Sequence, residues 1–122
     1  MSATGCDVIG EILYGSDLPF EAVDAAEAGL KDAVENLLTG FDPLYVDFRA
    51  SGDGLGFVSS LRECPVDGLE GACVALSRLL DPQGRGRLVA VAAGLGPVRA
   101  WTFSAQGLDK AEAARKGGRK RG

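Results

Sequence analysis

Apolar positions along the chain change their spacing repeatedly, and each change marks an element. From Cys6 to Tyr14, Val8, Ile9, Ile12 and Leu13 are interspersed with Asp7 and Glu11 and the run stops at Gly15, which predicts a first strand. Phe20, Val23, Ala26, Leu30, Val34, Leu37 and Leu38 then recur at helical spacing, opposite Glu21, Asp24, Lys31, Asp32 and Glu35. Ser16 or Asp17 is the expected cap, Pro19 the start and Gly40 the stop. Gly29 inside this helix costs about 1 kcal/mol relative to alanine, so a close approach to a strand is the expected reason for it.

Leu44 to Ala50 alternates, with Val46, Phe48 and Ala50 on one side. Ser51-Gly52-Asp53-Gly54 is a turn signal, and Leu55, Phe57, Ser59 and Leu61 alternate after it, giving a hairpin. Pro65 breaks the strand. Leu69, Cys73, Leu76 and Leu80 form a second helical stripe, with Asp67 and Glu70 at capping-box spacing and Asp81-Pro82 as the stop. Leu88 to Ala93 reads LVAVAA, the continuous apolar run of a strand buried on both faces. Val98 to Ser104 is a last strand or a continuation of that one, and Lys110 to Gly122 reads as a frayed helix with a disordered end. The order β-α-β-β-α-β predicts an α+β domain over residues 1–109. Its expected plan is ferredoxin-like (split βαβ), a single antiparallel sheet with two helices on one face, followed by a basic tail over 110–122.

At 122 residues the chain is long enough for one domain, and 46% hydrophobic with 25% charged residues is globular usage. No apolar run reaches the ~18 residues of a membrane span, and Met1 to Gly5 has no basic segment of a signal peptide, so an intracellular protein is expected, nuclear or cytoplasmic. The three cysteines, Cys6, Cys64 and Cys73, have no paired spacing and are expected as free thiols, with no metal and no cofactor. There is no histidine, which removes His-dependent triads and nearly every common zinc site. The net charge of −4 conceals a division. Lys110, Arg115, Lys116, Arg119, Lys120 and Arg121 face one acid, Glu112, within the last 13 residues; the remaining seven basic and sixteen acidic residues leave −9 on residues 1–109.

The motifs argue against catalysis. Gly52, Gly54 and Gly56 do not follow a strand and open a helix, so they read as a turn and not a phosphate loop. Gly84-Arg85-Gly86-Arg87 reads as a connecting loop. Glu63, Asp67 and Glu70 are acids near one another in sequence, and a helix N-terminus accounts for Asp67 and Glu70 without acid–base chemistry. Ser59-Ser60 has no visible base. Trp101 and Phe103 are expected in the core, the other reading being base stacking on an exposed sheet face. The six basic residues named above are the RNA-contact candidates, because each neutralised phosphate releases counterions.

Three segments together resemble the small ferredoxin-like protein subunits of ribonuclease P and ribonuclease MRP, over roughly residues 30–116: LKDAVENLLTGFDPLYVDF, GLGFVSSLRECPVDGLEGACVALSRLL and VRAWTFSAQGLDKAEAARK. In that family the last strand commonly leads into Ser-Gly-Thr and a basic helix with Lys-Ala. Ser104, Lys110 and Ala111 match, whereas Ala105 and Gln106 depart from the pattern. The resemblance implies a non-catalytic accessory subunit of a tRNA- or rRNA-processing ribonucleoprotein, with other protein subunits and RNA as partners. The segment from Pro19 to Ser104 is also similar to a Roadblock-like dimerisation module, and a small acidic body suits a phage-type inhibitor that mimics nucleic acid by charge. The first strand separates the first two readings: central pairing fits the ferredoxin-like plan, a detached arm fits Roadblock.

Overall fold

The structure, a computed structural model, describes residues 5–114. The elements are β1 (Cys6–Leu13), α1 (Phe20–Thr39), β2 (Pro43–Ala50), β3 (Gly54–Leu61), α2 (Val66–Ser77), β4 (Arg85–Ala92), β5 (Val98–Ser104) and β6 (Gly107–Ala114). All strands join one antiparallel sheet in the order β2-β3-β1-β4-β5-β6. The first strand is central, paired to β3 on one side and β4 on the other. The expected α+β class is observed. The sheet is larger than the four-strand plan, because β5 and β6 continue it beyond β4. Among the described residues no helix is long and apolar enough to cross a membrane.

One face of the sheet carries the core. Val8 and Ile12 of β1, Leu55 and Leu61 of β3, Leu88 of β4 and Trp101 of β5 join Leu30, Val34 and Leu38 of α1 and Leu69, Cys73 and Leu76 of α2 in one buried cluster. Leu37 packs against it half-buried. Trp101 and Phe103 are 2% and 1% exposed, so they are core residues and not a stacking platform. Two core rows pair an aromatic with a glycine. Phe57 lies opposite Gly10, and Phe103 opposite Gly86. A Cβ on either glycine would fall within the facing ring. The missing side chains make room for the rings, which is why glycine is tolerated in mid-strand despite its entropic cost.

Several local expectations are corrected. Neither helix has a side-chain cap: the residue before α1 is Pro19 and before α2 Pro65. Asp67 therefore sits inside the first turn of α2, where its charge still opposes the helix dipole. Gly29 faces open space and approaches no strand. The tail is not helical from Lys110: residues 110–114 belong to β6, because β5 offers an unpaired edge and the chain turns back at Gly107, whose φ is +119°. The folded unit thus runs past the expected boundary at 109.

A carboxylate fastens the two loops at one end of the sheet. The Gly15 N–H donates to both oxygens of Asp81, at 3.0 and 2.9 Å, and the Gln83 N–H donates to Asp81 Oδ2 at 3.3 Å. Gln83 Nε2 donates to Asp17 Oδ2 at 2.9 Å. Asp81→Ala leaves the buried Gly15 N–H without its acceptor and is expected to cost about 1–3 kcal/mol in chemical denaturation. Asp81→Asn, which keeps one acceptor, should recover part of that loss.

Candidate interaction face

The second face of the sheet is not covered by either helix. Because side chains alternate, every core position of β1, β3 and β4 has neighbours that point to the open side. Register places these in rows. The middle row runs Asp47, Val58, Ile9, Val89, Ala100 across β2, β3, β1, β4 and β5. One row toward one end of the strands are Tyr45, Ser60, Asp7, Val91 and Val98. One row the other way are Arg49, Gly56, Glu11, Arg87, Thr102 and Lys110.

The centre of this face is apolar. Ile9, Val58 and Leu13 are 47%, 39% and 46% exposed, and Val89 and Val91 are half-buried. This corrects the reading of LVAVAA as a strand covered on both sides. Leu88 and Ala90 enter the core, while Val89 and Val91 lie on the uncovered face. Gly56 has no side chain between Arg49 and Glu11, and here the face dips into a hollow of about 520 Å³, also lined by Ile9, Val58 and Arg87.

Polar contacts on the face are few. Arg87 Nη2 donates to Glu11 Oε1 at 2.9 Å across β4 and β1, an exposed pair whose contribution to stability is about 0–1 kcal/mol. Ser60 Oγ donates to Asp7 Oδ1 at 3.0 Å. Ser59, by contrast, is buried on the helix side, where its hydroxyl donates to the Tyr45 carbonyl at 2.7 Å. The adjacent serines therefore point to opposite faces.

Nucleophilic and metal chemistry find no convergence among the described residues. Burial pushes the Cys73 thiol up to about 12. Burial, and then a hydrogen bond with Cys64, push Cys6 up to about 12. Both remain thiols at neutral pH, the unreactive form. Among the described residues no cluster of three or more Cys, Asp or Glu side chains is placed to hold a metal ion. Glu63 and Asp67 are exposed and Glu70 half-buried.

Of the RNA-contact candidates, Lys110 lies exposed on β6 opposite Thr102, in the row with Arg49 and Arg87. Arg115, Lys116, Arg119, Lys120 and Arg121 lie outside the described residues. Sequence reasoning passed over Ile9, Val58 and Val89 as face residues. The signal was present in β1 and β4, where apolar residues occupy both parities of the alternation. Comparison with protein-family models, curated proteins and solved structures gives no match.

Proposed function

We propose that the chain is a non-catalytic assembly subunit that takes a protein partner on its open sheet face. The observation that carries this reading is the apolar centre of the open face: β1 and β4 carry apolar residues toward both sides, Ile9, Leu13, Val89 and Val91 on the open one, yet the chain's own helices cover only the other. Strands of that composition are ordinarily covered on both faces, and a contiguous exposed apolar band marks an interaction site. The central place of β1 supports the ferredoxin-like plan over the Roadblock-like one. In this reading β5 and β6 are an added hairpin on the two interleaved βαβ units, β1-α1-β2 and β3-α2-β4.

The setting we propose is an RNA-processing ribonucleoprotein of the ribonuclease P and MRP kind, where catalysis belongs to the RNA. RNA contact falls to Lys110 and to the basic residues from Arg115 to Arg121. Tyr45, on the edge strand β2, is the one aromatic side chain in the open-face rows, and none stands on β1, β3 or β4 beside it to form a base-stacking platform, so the face is better suited to protein. The acidic body repels phosphate, which leaves the tail as the route to RNA.

The test is a filter-binding titration with a structured RNA at several salt concentrations. Deleting residues 115–122 should flatten the slope of log affinity against log salt by up to about 4, since five basic residues are lost. Equal slopes for the two proteins would remove the tail from RNA contact. Recovery of the untagged chain from its own cells in a particle free of RNA would remove the ribonucleoprotein setting.

A further inference from the structure

We propose that β2, the edge strand of the sheet, pairs antiparallel with β2 of a second copy of this chain. The twofold axis passes between the two Phe48 residues, perpendicular to the sheet, so that the two sheets join edge to edge into one. The pairing is independent of the open face, which stays uncovered in it.

The backbone leaves this edge unsatisfied. β2 ends the sheet, and among the described residues no strand pairs with its outer side. The Ser51 N–H donates to the Gly54 carbonyl at 3.1 Å and closes the hairpin of β2 and β3. Hydrogen-bonded and non-hydrogen-bonded pairs alternate from there along an antiparallel ladder. Arg49 and Asp47, opposite Gly56 and Val58, therefore bond to β3. Val46, Phe48 and Ala50 direct their N–H and C=O groups to the free edge, where only water or another strand can take them. Pro43 and the register shift that follows it blunt the start of the strand, and the stretch from Val46 to Ala50 stays open.

The side chains choose the partner. Opposite residues of an antiparallel pair share a face, which limits the registers in which β2 can meet itself. Centred on Asp47, the pairing sets Asp47 against Asp47; centred on Arg49, it sets Arg49 against Arg49. Centred on Val46 it runs into the shifted register at Leu44, and centred on Ala50 into the turn. Centred on Phe48, it sets Asp47 of each copy against Arg49 of the other, twice, as an isologous interface requires. Both side chains are exposed, and neither has an ion-pair partner among the described residues. They form the non-hydrogen-bonded pairs, in which opposite Cα atoms are only about 4.5 Å apart.

The same register suits the helix side. It places Phe48 against Phe48 and Val46 against Ala50, with about six backbone hydrogen bonds from these residues of both copies. Val46 and Phe48 are half-buried at the rim of the core, the Phe48 ring 6.3 Å from that of Phe57, so the core continues from one copy into the other. Lys31, 6.0 Å from the Phe48 ring, brings no unpaired charge to the axis, because Glu27 holds it at 3.1 Å. The edge thus specifies a strand that presents Arg, an aromatic and Asp in reverse order, and an antiparallel copy of β2 is such a strand.

Sedimentation equilibrium of the full chain over a wide concentration range tests the pairing. The expected result is reversible association of the 12.6 kDa chain into a species of twice that mass. Asp47→Arg sets arginine against Arg49, and Arg49→Asp sets aspartate against Asp47. Each variant alone should raise the dissociation constant about 10-fold or more. An equimolar mixture of the two should associate about as tightly as the parent, since each arginine then meets an aspartate. Both positions are exposed, so urea unfolding of each variant at monomeric concentrations should match the parent's. A parent that stays monomeric throughout overturns the proposal and leaves the edge to a strand of another protein. A dimer that neither variant weakens, or a mixture no tighter than its components, overturns it by removing this register.

Discussion

Phe57→Ala is expected to destabilise the fold by about 3–5 kcal/mol, and the loss should depend on whether residue 10 is glycine. Phe57 is 4% exposed and its ring occupies the space that a side chain on Gly10 would fill. Removing the ring leaves a cavity beside a residue that has nothing to fill it with. Gly10→Ala alone forces a Cβ into the ring and is expected to cost about 1–3 kcal/mol. In the double variant the new methyl group enters the space the ring vacated. The combined loss should therefore fall short of the sum of the single losses by about 1 kcal/mol or more. Urea unfolding of the four proteins measures the cycle. Additive losses would mean that the ring and the strand backbone do not share the site. Gly86 and Phe103 repeat the arrangement across β4 and β5 and offer an independent second cycle.

Leu76→Ala is expected to cost about 2–5 kcal/mol. Leu76 is 2% exposed on α2, in the cluster shared with Leu30 and Val34 of α1 and with the sheet. A loss within error of zero in chemical denaturation would show that α2 does not seat its stripe on the sheet. The contrast is Phe20, 88% exposed at the start of α1, where truncation should cost little. Helix α1 buries its second half, at Leu30, Val34 and Leu38, and leaves its first turns largely outside the core.

The sequence by itself determined the order of elements from β1 to β4, because period-2 and period-3.6 patterns alternate and are punctuated by Gly15, Gly40, Pro65 and Asp81-Pro82, and it left Val98 to Ser104 open between a fifth strand and a continuation of the fourth. It also determined which stripes face the core. Leu69, Cys73 and Leu76 all lie in it, as their spacing required. Helix caps were misread because Asp67 and Glu70 satisfy a spacing rule that backbone geometry then did not use. Gly10 and Gly86 gave no local sign of their purpose. Only the pairing of β1 with β3 and of β4 with β5 brings a ring over each. The strand β6 was hidden for a similar reason. Its residues, GLDKAEAA, have little β preference of their own and are strand because β5 presents a free edge to them. The candidate face was the least legible feature of all. Val58, Ile9 and Val89 come from three strands separated by two helices, and no local pattern makes them neighbours. Their apolar character was visible, but which side of the sheet the helices would leave open was decided by how both crossovers packed, a property of the whole fold.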